Sequence, residues 1–539
     1  MLLWLLLLLC AVIIALTVSY CNFQKHLAAY PPGPPPWPFI GNLLQFECDV
    51  QRWADRLDAW GRQYDGMFTV WLPHAHVVIT DYALLKEALL NNGPALSGRP
   101  RQFVFESMVG GKFGIVLSDG QFWREQRRFA LHSMRNFGVG RNEMVEKIWV
   151  ELQRLLEHMD GRLQGDGEKS GNADGGWTPW KPRYPLTACL ASLNGMLSFG
   201  QRYDLNGDSR LDQMIAINGE ILDVLAQWST RALALWPALR HVPLFSHFNY
   251  DRIMAIASTT VHHFRDQIDR RKAELAQNAQ HNGGDAPNDF VAAFVQEIER
   301  RKRAGVPVGS FSDWQLCMAV GDLWGAGMGA RFETTASTLR WALLYLSVWP
   351  DTQTAAASEI ARVLPADRRV SPCDRARLPF VHACLLETQR LANVFPLNVP
   401  HETTQHVAIG CHHIPRGTTV LPQLYSVMRD ERHFPQAHQF HPARFLIAND
   451  ADTAAPPATI NAALAERVCA FGVGKRVCLG ESLARMDMLL ILTTLLQRYE
   501  FRLADDDMHK TAEQLLRTAP VSFTRRPTDY VLMVRRRRS

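Results

Sequence analysis

FGVGKRVCLGESLAR, residues 471–485, sets a cysteine between a loop that carries glycines and a stretch with helical apolar spacing. A thiolate at Cys478 would stand before the positive end of that helix, where the dipole favours a negative sulfur. Gly472 and Gly474 permit positive φ or close approach to a flat ligand, and Gly480 spares a side chain beside the sulfur. Arg476 adds a cation near the same face. A bare cysteine is more often a buried, inert thiol, so the reading of Cys478 depends on the rest of the segment and of the chain.

The surrounding sequence is mostly helical in pattern. ESLARMDMLLILTTLLQRYEF (481–501) and residues 311–347 and 376–391 carry long apolar patterns with few breakers. Strand-like runs are short: GMFTVWL (66–72), HVVIT (76–80), TTVLPQL (418–424) and DYVLMVR (529–535). The polar stretches 160–177, 278–289 and 449–462 read as surface loops between helices. A mainly α body with small sheets is therefore expected, without internal repeats.

At the other end, MLLWLLLLLCAVIIALTVSYCNFQ (1–24) has no charged residue, and about 20 apolar residues span a bilayer core. With no basic stretch before it, the run predicts an uncleaved single-pass anchor rather than a signal peptide. Lys25 then lies on the cytosolic side. Residues 25–42, with PPGPPPWPFIGN at 31–42, read as a proline-stiffened hinge, and 43–539 as the body. A net charge of +5 over 539 residues is too mild to argue for nucleic acid. The 10 cysteines show no CxxC spacing and no small-scaffold density, which argues against a disulfide framework.

The cysteine loop resembles the haem-binding signature of cytochromes P-450, FxxGxRxCxG, with Phe471, Gly474, Arg476, Cys478 and Gly480 in register. Other motifs follow in the family order. Glu387 and Arg390 match its ExxR pair, placed on one helical face by their i,i+3 spacing. Arg444 in FHPARF matches the arginine that completes that network, and Trp123 and Arg127 match its WxxxR helix. The resemblance, strongest to microsomal animal members of the family 2 group, implies one large, mostly α domain after the anchor. It also implies haem b ligated by Cys478, with Arg99, Trp123, Arg127, His401 and Arg476 as cofactor contacts. Arginine suits propionates because its planar fork pairs bidentately with carboxylate.

The family's oxygen-site helix usually reads AGx(D/E)T(T/S). In DLWGAGMGARFETTASTLRW (322–341), Ala326-Gly327-Met328 and Glu333-Thr334-Thr335 are parted by GARF (329–332). Four inserted residues add about 400° of rotation and about 6 Å of rise, leaving both flanks on nearly one face, a turn apart. A π-bulge would keep Glu333 and Thr334 near oxygen as the proton-relaying pair. The other readings are that GARF is a gene-model artefact and that oxygen activation is impaired or altered.

The resemblance implies a monooxygenase that inserts one atom of dioxygen into a lipophilic small molecule, by hydroxylation or epoxidation. No flavin or nicotinamide module is legible, so electrons would come from NADPH through cytochrome P-450 reductase, with cytochrome b5 as a further donor. Localisation in the endoplasmic reticulum membrane follows from the same likeness. Lys475 and Arg485 flank the cysteine loop as docking candidates. Two alternatives stay open because of GARF: a haem-thiolate isomerase or dehydratase acting on a peroxide, and an inactive haem-binding paralogue. Phe103, Phe105, Leu397 and Val399 are candidate substrate contacts, with core packing an equal account of each. GAGMGA lies inside a helical pattern and so fails as a dinucleotide loop, and Cys411-His412-His413 lacks zinc-site spacing.

Overall fold

A computed structural model describes residues 23, 27–38, 40–46, 50–72, 74–169, 176–243, 249–282, 287–324, 331–448, 458–504 and 524–537. Apart from Phe23, the expected anchor 1–24 lies outside the described residues, as do residues 325–330 of the oxygen-site stretch. Among the described residues no helix is long and apolar enough to cross a membrane. They form the expected mostly helical body with small sheets.

The chain divides into two compact units. The smaller comprises the chain up to Arg101, Pro396–Val427 and Gly472–Val477. Its β-branched and aromatic run MFTVWL forms strand Met67–Leu72, antiparallel to His74–Ile79. His74–Ile79 pairs in parallel with Thr419–Pro422, which pairs antiparallel with His401–Glu402. The proline-rich segment docks on this sheet: buried Asn42 donates to the Pro34 carbonyl at 3.0 Å and accepts from the Trp71 amide at 2.8 Å. Gly410 and Cys411 turn the hairpin of Val407–Ile409 and His412–Ile414.

The larger unit holds the long helices. Helix Arg183–Phe199 is buried along nearly its whole surface, as expected of a helix without a polar face. Against it, and against Pro379–Ala392 and Glu481–Arg498, packs helix Arg331–Val348. A stack through Trp341, Tyr345 and Phe440 fills part of this core, with ring centroids 5.5 and 4.8 Å apart. Buried Arg340 donates to the carbonyls of Pro527 and Thr528 at 3.0 and 3.2 Å and to the Asp529 carboxylate at 3.0 Å. The Tyr530 hydroxyl returns a hydrogen bond to the Arg340 carbonyl, so residues 525–530 strap this helix.

Several boundaries differ from expectation, two of them at the ends of long helices. Helix Asn142–Lys169 runs through the first part of the polar stretch 160–177, since propagation costs less than a new nucleus and Arg, Leu, Gln and Lys favour it. Helix Glu481–Arg498 stops earlier than its apolar pattern: Tyr499–Leu503 is a strand, paired with Leu532–Arg536, which also pairs with Thr178–Trp180.

Candidate active site

In the larger unit, the Cys478 amide donates to the Phe471 carbonyl at 2.9 Å, closing the loop across its glycines. Gly480 then caps helix Glu481–Arg498, so the sulfur is carried at the head of an 18-residue helix. The thiol is exposed, as are Cys373 and Cys411, whereas Cys189, Cys317, Cys384 and Cys469 are buried. Burial pushes Cys317 up to about 11 and Cys469 up to about 12, so these thiols stay protonated and inert. Arg485 lies over the Phe471 ring at 4.9 Å while its Nε pairs with Glu481 at 2.9 Å, fixing the loop to the first helical turn.

Trp123 and Arg127 lie one turn apart on helix Gly120–Asn136. The Trp123 ring is buried, and the Arg127 guanidinium carbon stands 5.9 Å from its centroid. Burial lowers the pKa of Arg127, while the negative charge of Cys478 raises it. The structure thus brings Arg127 into the electrostatic field of the Cys478 sulfur.

Arg99, His401 and Arg476 form a second cluster, within the smaller unit. Buried Arg99 donates to the Pro400 carbonyl at 2.7 Å, and Arg476 Nε to the Ser97 carbonyl at 2.9 Å. His401 Nδ1 lies 2.7 Å from the Leu96 carbonyl, which fixes the proton on that nitrogen and leaves Nε2 as an acceptor. Burial, aided by the Arg99 cation, holds its pKa down at about 3. Gly472 and Gly474 both take positive φ, as their glycines allow.

The ExxR network is complete within the larger unit. Glu387 and Arg390 are wholly buried and paired twice, at 2.6 and 2.8 Å. Arg390 also donates to the carbonyls of Met428 and Ala437, at 2.9 and 2.7 Å. Arg444 Nε reaches Glu387 at 3.2 Å, and the His441 amide donates to the same oxygen at 2.9 Å. A buried ion pair repays desolvation only when its remaining donors and acceptors are met, as they are here.

Glu333 and Thr334 sit on helix Arg331–Val348. The Glu333 carboxylate is nearly buried, 3.7 Å from Arg526 on the strap, and the Thr334 carbonyl accepts from Thr338 at 2.8 Å. The expected π-bulge falls on residues that lie largely outside the described ones.

An acid not singled out from the sequence lies one helix upstream. Asp322 accepts hydrogen bonds from the amides of Ile115 and Val116 and lines an otherwise apolar cavity of about 580 Å³, its mouth included. Protein surrounds its carboxyl, and burial pushes its pKa up to about 6 against the pull of those amides. Its signal was a lone charge in the apolar run QLCMAVGDLW. Phe105, Met108, Phe113, Leu117 and Phe264 supply much of the apolar wall. Phe103 instead stacks on Tyr250 at 5.9 Å, while Leu397 and Val399 are half-buried in the smaller unit.

Residues 31–531 match the cytochrome P-450 family. The chain belongs to the cytochrome P-450 family. It is 31% identical to probable cytochrome P-450 CYP36A1 of Caenorhabditis elegans, over 91% of this chain and 92% of that one. Identity to cytochrome P-450 2D3 of Rattus norvegicus is 32%, over 89% and 88%, and to cytochrome P-450 2J2 of Homo sapiens 30%, over 88% and 86%. Cytochromes P-450 are monooxygenases that use haem with a cysteine thiolate ligand and NADPH electrons supplied by a reductase. The side chains present fit that group: an exposed thiol at a helix head, an arginine in its field, and in the smaller unit a cluster of guanidiniums suited to carboxylates.

Proposed function

We propose that this cytochrome P-450 hydroxylates or epoxidises lipophilic small molecules, with Cys478 as the ligand of the haem iron. The observation that carries this reading is the exposed Cys478 thiol at the head of helix Glu481–Arg498, in the field of Arg127. The helix dipole and the Arg127 cation both favour a thiolate there. The haem, once bound, supplies the oxygen-inserting chemistry, which thiolate ligation promotes.

The chain's own residues bind, orient and move protons. Trp123, Arg127, Arg99, His401 and Arg476 would be the cofactor contacts, as their match to the family's motifs implies. Arg99 and Arg476 are held by backbone carbonyls, so each guanidinium keeps its direction before any carboxylate arrives. Glu333 and Thr334 would hold and pass protons at the oxygen site, with the Arg526 guanidinium 3.7 Å from the Glu333 carboxylate. The apolar wall of Phe105, Met108, Phe113, Leu117 and Phe264 suits a lipophilic substrate and excludes water. Electrons would come from the reductase, with cytochrome b5 as a further donor. Exposed Lys475, and Arg485, carry charge suited to docking an acidic partner. Residues 1–24 would anchor the enzyme in the endoplasmic reticulum with its body in the cytosol, on the strength of their uncharged sequence.

The test is the reduced carbon monoxide difference spectrum of the full chain beside Cys478→Ala. A red-shifted thiolate band that the variant lacks is expected. No such band in the natural protein, or its survival in the variant, overturns the ligand assignment. Oxygen uptake dependent on NADPH and reductase, set against reductase-free turnover of a fatty-acid hydroperoxide, distinguishes a monooxygenase from a peroxide isomerase.

A further inference from the structure

Beside the apolar cavity lies a second, of about 320 Å³ with its opening to solvent included, and the two share Ile221, Thr260 and Phe264 as walls. Helices Ser209–Ala226, Asp251–Asn282 and Asp313–Trp324 enclose it. Its surface is mostly apolar, with Asn218 entering from the first of these helices and Thr260 and His263 from the second. Among the described residues, neither Asn218 Oδ1 nor His263 Nε2 has a hydrogen-bond partner, although both atoms are buried. Thr260 differs, since its hydroxyl donates to the Ile256 carbonyl at 2.8 Å.

A buried polar atom without a partner costs about 1–3 kcal/mol, and here two such atoms face one mostly apolar cavity. Their chemistry says what would relieve it. An amide side chain offers both an acceptor and donors, and a neutral imidazole offers one of each. Burial holds His263 below the usual histidine pKa, with Asp266 raising it and Arg270 and His262 adding to the lowering, so the ring is uncharged at neutral pH. A neutral ring beside an amide complements a neutral oxygen better than a carboxylate. The broad apolar walls that lead to this end suit a hydrocarbon body.

We propose that Asn218 and His263 form the polar end of the substrate cavity and select lipophiles that carry a hydroxyl group at one end, which donates to Asn218 Oδ1 and pairs with His263 Nε2. This rests on the monooxygenase reading and names the substrate class for it. The body of the molecule lies against Phe105, Met108 and Phe113, and its oxygen pairs with the amide and the imidazole. Oxidation then falls on the part of the molecule remote from that oxygen.

The test uses the haem-loaded full chain, with cyclododecanol and cyclododecane as matched probes and equilibrium dialysis as the readout. Asn218→Leu and His263→Phe are each expected to weaken cyclododecanol binding about tenfold, while cyclododecane binding stays within about twofold or tightens. Equal shifts for the two probes, unchanged cyclododecanol affinity in both variants, or no measurable cyclododecanol binding to the natural protein overturns the proposal. If Asn218→Leu fails to take up haem, Asn218→Ala replaces it. A natural protein that keeps its thiolate spectrum and NADPH-dependent oxygen uptake while showing any overturning result refutes the polar-end assignment alone. Loss of that spectrum or uptake refutes the reading beneath it.

Discussion

Gly474 lies so close to Leu89 that a Cβ at 474 would stand 2.0 Å from the Leu89 carbonyl oxygen. Its φ of +82° is also one that side chains other than glycine rarely adopt. Gly474→Ala therefore combines about 1–2 kcal/mol of left-handed strain with a backbone clash that must be relieved by moving the loop. Lower melting temperature and reduced haem content on purification are expected. A variant that melts with the natural protein and holds a full haem complement would contradict this.

Arg390 and Arg444 share Glu387 unequally, because only Arg390 is wholly buried and doubly paired with it. Arg390→Leu leaves the Glu387 charge without its closest partner and should cost about 3–5 kcal/mol. Arg444→Leu removes the longer contact and should cost clearly less. Urea unfolding of the two variants gives the order, and equal losses would count against the assignment.

Asp322 gives the fold a dependence on pH. Its folded-state pKa, about 6, lies above the usual carboxylate value of about 3.9 in the unfolded chain. The folded protein thus retains a proton that the unfolded chain has released. The stability contributed by this group is fully present below about pH 4 and is lost as pH rises through about 6, by at most about 3 kcal/mol. Asp322→Asn should flatten that part of the profile, measured by denaturant unfolding between those values. An unchanged slope would show that the carboxyl is ionised throughout.

His401 and Arg99 should contribute differently to holding haem. With its Nδ1 proton committed to the Leu96 carbonyl, a neutral His401 presents only a lone pair at Nε2 and meets a carboxylate only after gaining a second proton. Its pKa of about 3 makes that costly at neutral pH. Arg99 is charged at every relevant pH. Haem-to-protein ratios after dialysis should fall more for Arg99→Leu than for His401→Asn, and the reverse order would refute this.

Glu333 has two possible employments, as a proton carrier and as the anion that meets Arg526. Glu333→Gln should lower product formed per NADPH consumed, whereas Arg526→Gln should change stability by under about 1 kcal/mol, the scale of a partly exposed ion pair. A ratio unchanged in Glu333→Gln would assign the residue to the strap alone.

What was legible in the sequence is what is local. Glu387 and Arg390 are three residues apart on one helix, and Trp123 and Arg127 four apart on another, so spacing alone set them on common faces. Arg444 and the Cys478 loop were readable through motif order. Asp322 was hidden, because its partners are the amides of Ile115 and Val116, some 207 residues back, and backbone donors leave no mark in a sequence. Asn218 and His263 come together through the packing of two helices, which neither helix's own pattern encodes. The helix past residue 160 escaped notice because a polar composition that suits a loop also suits an exposed helical turn.

The strap has a consequence in time. Arg340 meets its acceptor on Pro527 across 187 residues of chain. On a ribosome the helix that bears Glu333 and Thr334 is therefore made long before the oxygens that hold Arg340 emerge from the exit tunnel. Until then a guanidinium destined for the interior must stay hydrated, and the surrounding core cannot close over it. Consolidation of this region therefore waits for residues 525–530, leaving the chain made before them in need of shelter from aggregation.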